Sequence, residues 1–249
     1  MHFKYSGDPI SPWHDIPLAP SGGDLSQPLT FCCEIPKWTR RKFEVATKEV
    51  NNPIKQDEKK GVLREYKWGD MLFNYGFFPQ TWEDPEETNP DTGCRGDNDP
   101  LDVVEVGARK MSTGECAPVK VLGVLGMIDD GETDWKVFAI RLTDPLADRM
   151  NDLDDLEREL PGCVDALREW LRVYKVPEGK PLNAFTHQEK AQPREYAMHV
   201  IADTHAAWVK SHGHIRKQLV GRSGTGFGIL SSPSMSELGL DESTPVPSA

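Results

Sequence analysis

Six short, strand-like runs occupy the first 142 residues of the chain, and turn residues separate each run from the next. Short strands interrupted by turns are typical of a small closed or nearly closed antiparallel barrel, whereas an alternating βαβ sheet would need helices between its strands. The sequence therefore predicts a β-barrel at the centre of the fold. The predicted strands cover residues 29–35, 42–47, 63–68, 101–106, 119–127 and 135–142.

Helical periodicity appears only after these runs, in three amphipathic segments. Strands first and helices afterwards indicate an α+β, mainly β arrangement, with the helices packed on one side of the barrel. The apolar residues at helical spacing are Leu153, Leu156 and Leu160; Val164, Leu167, Leu171 and Tyr174; and Ala197, Val200, Ile201 and Trp208.

A chain of 249 residues is long enough for one sizeable core, and all-β domains of this length are often single units. Residues 1–28 are rich in Pro, Gly and Ser and are predicted to be an irregular lead-in that wraps the surface. Residues 29–212 would form the barrel with its flanking helices. Residues 213–249 end in a Ser/Pro-rich stretch and are predicted to be a disordered tail.

The net charge of −11 argues against a nucleic-acid partner, because no Lys/Arg-rich run offsets the acidic residues. The longest apolar run, 121–128, has eight residues. A membrane-spanning helix needs about 20. The N-terminus also lacks the apolar segment of a secretory signal. We therefore expect neither a nucleic-acid nor a membrane partner, and either a cytoplasmic protein or an organellar one from which a longer leader has been removed.

The five cysteines form an odd set without CxxC pairs, which argues against both a disulfide framework and a zinc site. We expect all of them to be reduced thiols in a cytosol-like compartment. They are Cys32, Cys33, Cys94, Cys116 and Cys163.

The densest chemical signal is a run of three aspartates within six residues, Asp97, Asp99 and Asp102. Carboxylates this close repel one another, and a hard cation between them relieves the repulsion. The alternative is an acidic surface turn with an Asx-capped start. An EF-hand loop is excluded, because Leu101 and Ala108 stand at the fifth and twelfth positions, where that loop needs oxygen ligands.

A second acidic group begins at Asp129 and lies between two strand-like runs. A hairpin there would bring Asp129 near the start of the strand that carries Asp134, and the two-residue period puts Asp134 and Lys136 on one face. A carboxylate and an ammonium group would then face the same way. The alternative is a solvated hairpin tip with a surface ion pair, worth about 0–1 kcal/mol.

Two further groups are ambiguous on their own. Glu34 precedes a run in which Lys42 and Glu44 alternate with apolar residues, so that both charges share one face. An exposed polar sheet face would explain this equally well. The run 74–85 is rich in aromatic residues and too irregular for a strand or a helix, and core packing under a loop is its usual explanation.

Taken in order, these four groups resemble the family I soluble inorganic pyrophosphatases, and the eukaryotic type more than the shorter bacterial type. The resemblance covers residues 13–208, and its most specific parts are 74–82, 96–103 and 129–136. It implies an OB-fold-like antiparallel β-barrel with flanking C-terminal helices, and a homodimer that uses the region of Trp38. It also implies Mg²⁺-dependent hydrolysis of inorganic pyrophosphate to two phosphates.

The resemblance assigns roles to individual residues and shows one departure. Met71 stands where many members have a tyrosine, so a hydroxyl on the phosphate side is missing. Several Mg²⁺ ions would bind to Asp97, Asp102, Asp134, Asp129 and Glu44, with Glu34 supporting them. The phosphate groups would bind to Lys42, Arg64, Tyr75, Lys136, Tyr174 and Lys175.

Elementary physics supports this chemistry. Pyrophosphate carries about four negative charges when fully ionised, so its hydrolysis needs cations. Carboxylates recruit Mg²⁺ because this ion prefers oxygen ligands. Two metals that share a water would make hydroxide available near neutral pH. Asp99, set between two metal ligands, is then the expected general base, and Arg64 can bind a phosphate group with two hydrogen bonds.

Two other functions compete with this one. A non-enzymatic OB-type binding module would need a basic groove with stacking aromatics, which the charge balance disfavours. A metal-dependent phosphoesterase would use the same metals on an organic phosphate in a roomier pocket.

Overall fold

The computed structural model describes residues 1–5, 7–19, 24–26 and 28–222, with side chains up to residue 212. The strands are β1 (Phe3–Tyr5), β2 (Asp8–Ile10), β3 (Leu29–Ile35), β4 (Phe43–Val45), β5 (Ile54–Gln56), β6 (Glu58–Lys59), β7 (Val62–Leu63), β8 (Asn74–Phe77), β9 (Arg95–Gly96), β10 (Asp102–Glu105), β11 (Cys116–Asp129), β12 (Glu132–Arg141), β13 (Ala184–Phe185) and β14 (Gln192–Pro193). The α-helices are α1 (Leu153–Glu159), α2 (Cys163–Val173) and α3 (Arg194–Arg222).

Eight of the strands form one sheet that organises the rest of the chain. Hydrogen bonds join β11 to β3, β3 to β8, β8 to β10, β10 to β12 and β12 to β11, so the order of pairing returns to its first strand. The pairs β10–β12 and β9–β12 are parallel. The prediction of a purely antiparallel barrel is therefore wrong. The whole of β11 lies between β10 and β12, which gives the chain the long connection that a parallel pair requires.

The longest pairing is the hairpin of β11 and β12, in which Asp129 lies opposite Glu132. Its turn consists of Asp130 and Gly131, whose φ angles are 51° and 88°. Two-residue turns with positive φ at both positions fit the right-handed twist of the strands and favour Asp-Gly. The turn thus fixes the register and places Met127 opposite Asp134.

The helices cover the sheet with their apolar faces, as their periodicity predicts. Leu156 of α1 and Leu167 of α2 pack into a core cluster with residues of β11 and β12. Ala197 and Ile201 of α3 pack into a second cluster, which contains Val137 of β12, whereas the first contains Phe138. Successive strand residues face opposite ways, so the prediction that all helices pack on one side is wrong. Burial of a side chain such as leucine contributes roughly 1.5–3 kcal/mol. The predicted mainly β fold with a few C-terminal helices is confirmed.

Three segments differ from expectation. The predicted strand 63–68 forms only the end of β7 and an isolated bridge between Arg41 and Glu65. The lead-in contains the hairpin β1–β2, and Trp13 is buried in the core. Helix α3 continues to Arg222, beyond the predicted domain end at residue 212. The rest of the predicted tail, 223–249, lies outside the described residues.

The cysteine prediction is wrong for one pair. Cys32 on β3 and Cys116 on β11 lie opposite each other and form a disulfide, whereas Cys33, Cys94 and Cys163 are free thiols. The pair is 84 residues apart in sequence, so only the sheet pairing brings it together.

In the described part of the chain, no helix combines the length and the apolar character that crossing a membrane requires.

Candidate active site

A cavity of about 230 Å³ is lined by β3, β4, β8, the loop before β10, the β11–β12 hairpin and α2. Every residue that the resemblance assigns to a site lines it, although these residues come from distant parts of the sequence. They are Glu34, Lys42, Glu44, Arg64, Tyr75, Asp97, Asp99, Asp102, Asp129, Asp134, Lys136, Tyr174 and Lys175.

The sheet register places three of these residues together. Asp102 on β10 lies opposite Lys136 on β12, and β8, which carries Tyr75, pairs with β10 on its other side. The Lys136 ammonium and the Tyr75 hydroxyl each donate a hydrogen bond to Asp102 Oδ2 at 2.5 Å, and Lys136 also donates to Asp134. The alternative of a solvated surface ion pair is wrong, because Lys136 is only 1% exposed.

The electrostatics of Lys136 follow from these partners. Burial alone would lower the pKa of an ammonium group, but the adjacent carboxylates of Asp102 and Asp134 outweigh it and raise the pKa of Lys136 well above its usual value. The side chain therefore remains a buried cation inside the cavity.

The aspartate run is held in place by the segment that precedes it. The Glu83 N–H donates to the Asp99 carbonyl and the Asn98 N–H donates to the Glu83 carbonyl, both at 3.0 Å. The Asp99 N–H donates to Asp97 Oδ1 at 3.0 Å. At Gly96 a Cβ atom would lie 2.3 Å from the Glu83 carbonyl carbon, so only glycine allows this approach. The aromatic run 74–85 thus orients the aspartates in addition to packing.

Glu83 is a buried carboxylate that sequence reasoning missed. Its Oε1 accepts a hydrogen bond from the Trp135 N–H at 3.2 Å, whereas its Oε2 has no partner among the described residues. One oxygen each from Glu83, Asp97 and Asp134 lie within 4.8 Å of one another. Glu83 lies in a run of aromatic residues and is not part of a regularly spaced acidic motif, so the sequence did not identify it as a site residue.

These carboxylates fit metal ions. Partial desolvation in the cavity and repulsion from neighbouring carboxylates raise the pKa of the half-buried Asp97 to about 8 and that of the more exposed Asp99 to about 7, and burial raises the pKa of Asp134. A cation between them would remove the repulsion and give the unpartnered Glu83 oxygen a neighbour. Oxygen-only donors suit hard divalent cations such as Mg²⁺.

Basic side chains line the same cavity and pair with carboxylates. Lys42 forms an ion pair with Glu44 and lies 3.6 Å from Asp57. The Arg64 guanidinium donates to Asp57 Oδ2 at 2.6 Å. Sequence reasoning missed Asp57, which joins Lys42 and Arg64 but lies outside the motifs. A phosphate group that enters the cavity could take the place of these carboxylates as the partner of Lys42 and Arg64.

A second set of cationic and hydroxyl groups surrounds Asp129. The Tyr174 hydroxyl donates to Asp129 Oδ2 at 3.0 Å, and Lys175 also donates to this carboxylate. The Tyr174 ring stacks on Trp170 with centroids 5.2 Å apart. The ring is therefore part of the core while its hydroxyl reaches the cavity.

Buried carboxylates that fit divalent cations, surrounded by lysine, arginine and tyrosine side chains, define a metal-dependent site for a small polyanion. The fold, a mainly β sheet with C-terminal helices, is the frame that assembles this site.

Comparison with known proteins gives the family. The sequence model of the family described as inorganic pyrophosphatase matches residues 31–209. The chloroplastic soluble inorganic pyrophosphatase 1 of Chlamydomonas reinhardtii is 50% identical over 210 residues, which cover 84% of this chain and 73% of that protein. The chain belongs to the inorganic pyrophosphatase family, and the resemblance to its eukaryotic type is confirmed.

Two solved structures are similar throughout most of the chain. A recombinant inorganic pyrophosphatase from T. brucei brucei has a TM-score of 0.80 at 49% identity, and covers 84% of this chain but only 63% of its own. An N-terminally truncated vacuolar soluble pyrophosphatase from Trypanosoma cruzi, in complex with PPi, has a TM-score of 0.78 at 47% identity, with 85% and 82% covered.

Proposed function

We propose that the chain hydrolyses inorganic pyrophosphate to two phosphates in a reaction that depends on several Mg²⁺ ions. One observation carries the proposal: a cluster of carboxylates, among them the buried Asp134, shares a cavity with basic side chains suited to phosphate. Family membership supports the reaction. A related protein was solved in complex with PPi.

The acidic residues would hold the metal ions. Asp97, Asp102 and Asp134 form the first group of ligands, and Asp129 and Glu44 take part in binding further ions. Glu34 supports them, because its Oε1 accepts a hydrogen bond from the Val45 N–H at 2.6 Å and so fixes the strand of Glu44. When bound, the ions supply positive charge opposite the substrate and make a water molecule more acidic.

Asp99 would act as the general base. It lines the cavity between the predicted ligands Asp97 and Asp102, and its backbone is held by hydrogen bonds to Asp97 and Glu83. A carboxylate in this position can take a proton from the attacking water. The water oxygen then bonds to one phosphorus, and the bond from that phosphorus to the bridging oxygen breaks.

The basic and hydroxyl groups would bind the two phosphate groups and neutralise the leaving one. Arg64 is suited to a two-point contact, because its guanidinium presents donors in a fixed plane. Without substrate it donates to Asp57 instead. The other members of this set are Lys42, Tyr75, Lys136, Tyr174 and Lys175.

Two organisational features belong to the same proposal. The returning order of strand pairs supports an OB-fold-like barrel within residues 29–212. A cytoplasmic location is the second feature of the proposal. The Cys32–Cys116 disulfide does not support it, since disulfides are rare in cytosolic proteins.

We also propose a homodimer with Trp38 at the interface. Trp38 is 61% exposed, has a φ angle of 60°, and lies under the Lys37 ammonium, which is 5.0 Å from its ring centroid. A large aromatic group held outward in an uncommon backbone conformation suits contact with a partner. Sedimentation at micromolar concentration should give twice the mass of one chain, and the mass of a single chain would contradict the dimer.

A substrate panel separates the candidate functions. With Mg²⁺ present, the purified protein should release phosphate from pyrophosphate far faster than from nucleotide or sugar phosphate esters, since the cavity of about 230 Å³ is small and polar. Preference for an organic ester would favour the phosphoesterase. Binding of single-stranded nucleic acid or oligosaccharide without turnover of any phosphate compound would favour the binding module.

A further inference from the structure

Tyr66 lines the same cavity, although no sequence pattern assigned it a role. Its direction follows from the backbone. The Lys42 N–H donates to the Arg64 carbonyl at 3.1 Å, and the Tyr66 N–H donates to the Arg40 carbonyl at 2.7 Å. Glu65 lies between them in extended chain, so Arg64 and Tyr66 project to one face. Both of these residues line the cavity.

The ring of Tyr66 is fixed by its neighbours. It meets Trp170 edge-on at a centroid distance of 4.9 Å and Tyr174 at 5.7 Å, with interplanar angles of 87° and 80°. Trp170 is itself anchored, because its Nε1 donates to the Asp70 carbonyl at 3.1 Å. The side chain is 6% exposed. Packing therefore sets the direction of the hydroxyl group.

The hydroxyl of Tyr66 is left without a hydrogen-bond partner among the described residues, whereas those of Tyr75 and Tyr174 donate to Asp102 and Asp129. The hydroxyl is not fully buried, and because Tyr66 lines the cavity, we infer that its oxygen is exposed to the cavity. Buried phenols usually find a partner. This one is available to a group that enters the cavity.

The charges around this hydroxyl keep it a donor. Burial raises the pKa of Tyr66, and so do the carboxylates of Asp102 and Glu34, against the opposing effect of Lys42 and Lys136. The phenol is therefore neutral at physiological pH. It stands near two of the cations that would bind an anionic substrate.

We propose that Tyr66 is a substrate-binding residue whose hydroxyl donates a hydrogen bond to a phosphate oxygen of pyrophosphate. The inference rests on the proposed function and deepens it. The proposal also bears on Met71, which stands where many family members have a tyrosine. Met71 is 1% exposed and lines the same cavity, but its side chain has no hydrogen-bond donor. Tyr66 supplies a neutral donor to this cavity from a different segment of the chain. The competing explanation is that Tyr66 only packs against Trp170.

Tyr66→Phe tests the assignment, because it removes the hydroxyl and keeps the ring. We expect KM for pyrophosphate to rise about tenfold, the usual scale for a hydrogen bond to a charged group. The turnover number and the Mg²⁺ activation constant should change by less than about threefold. The measurements are steady-state kinetics at saturating Mg²⁺, a Mg²⁺ titration and thermal unfolding.

Tyr196→Phe is the matched control. The Tyr196 hydroxyl donates to Asp91 and the residue does not line the cavity, so KM should keep its wild-type value. A wild-type KM in Tyr66→Phe would show that Tyr66 only packs. A raised KM together with lost Mg²⁺ activation or a lower unfolding temperature would show a structural role and also contradict the assignment.

The proposed function and this inference can fail separately. If the wild-type protein did not hydrolyse pyrophosphate, the function would be wrong, and calorimetric titration with pyrophosphate would decide the role of Tyr66. Weaker binding by Tyr66→Phe than by wild type would support the contact. Equal binding, or no binding by wild type, would contradict it.

Discussion

Asp99→Asn is expected to lower kcat by at least about two orders of magnitude, the scale on which loss of a general base acts. It should also move the acidic limb of the pH profile upward. In the wild type this limb reports the ionisation of a base, whereas the variant must rely on hydroxide from bulk water, which becomes available only at higher pH. A series of kcat values against pH at saturating Mg²⁺ measures both effects.

The control for this series is Asp203→Asn, which makes the same change at an exposed residue of α3. Its profile should match that of the wild type. If the limb of Asp99→Asn stays in place and only its Mg²⁺ requirement rises, Asp99 is a metal ligand and not the base.

Asp134→Asn is expected to abolish turnover, because it removes a central carboxylate of the site. Lys136 keeps Asp102 as a partner at 2.5 Å, so the fold should survive. Wild type and variant are compared by activity and by thermal unfolding with Mg²⁺ and with chelator. Mg²⁺ should stabilise the wild type and leave the variant nearly unchanged. Retention of more than about a tenth of the activity would remove Asp134 from the metal ligands.

The stability of the metal-free protein gives this variant a second signature. Burial raises the pKa of Asp134 above its unfolded value, so the folded state binds the proton more tightly, and the contribution of this group to stability falls as pH rises toward the folded pKa. Asparagine cannot ionise. In chelator the variant should therefore unfold at a temperature equal to or above that of wild type, with a margin that grows as pH rises above the unfolded pKa of an aspartate.

Local patterns predicted part of this molecule. Strand β3 coincides with the predicted run 29–35, because its turn-bounded apolar residues are a local property. The shared face of Asp134 and Lys136 follows from the two-residue period. The close spacing of Asp97, Asp99 and Asp102 is visible in the sequence without knowledge of the tertiary structure, and all three residues line the cavity.

Contacts between residues that are distant in the sequence could not be predicted from local patterns. Asp102 meets Lys136, 34 residues away, only through the parallel register of β10 and β12. Cys32 meets Cys116 in the same way through β3 and β11. Neither register can be read from a local pattern, because each depends on how the whole sheet is assembled.

Single buried groups were also missed. Glu83 and Tyr66 lie in irregular segments, where neither the period of a strand nor that of a helix indicates which side chains turn inward. Their positions depend on backbone contacts with Asn98 and Arg40. Only the folded structure reveals such residues.

The measurement that tests the central claim most directly is phosphate release from pyrophosphate by the purified protein, first with Mg²⁺, then with excess chelator, and then with Mg²⁺ restored. The account predicts two phosphates for each pyrophosphate consumed, no turnover in chelator and full recovery afterwards. Turnover that persists in chelator, or no release of phosphate with Mg²⁺ from a folded protein, would contradict it.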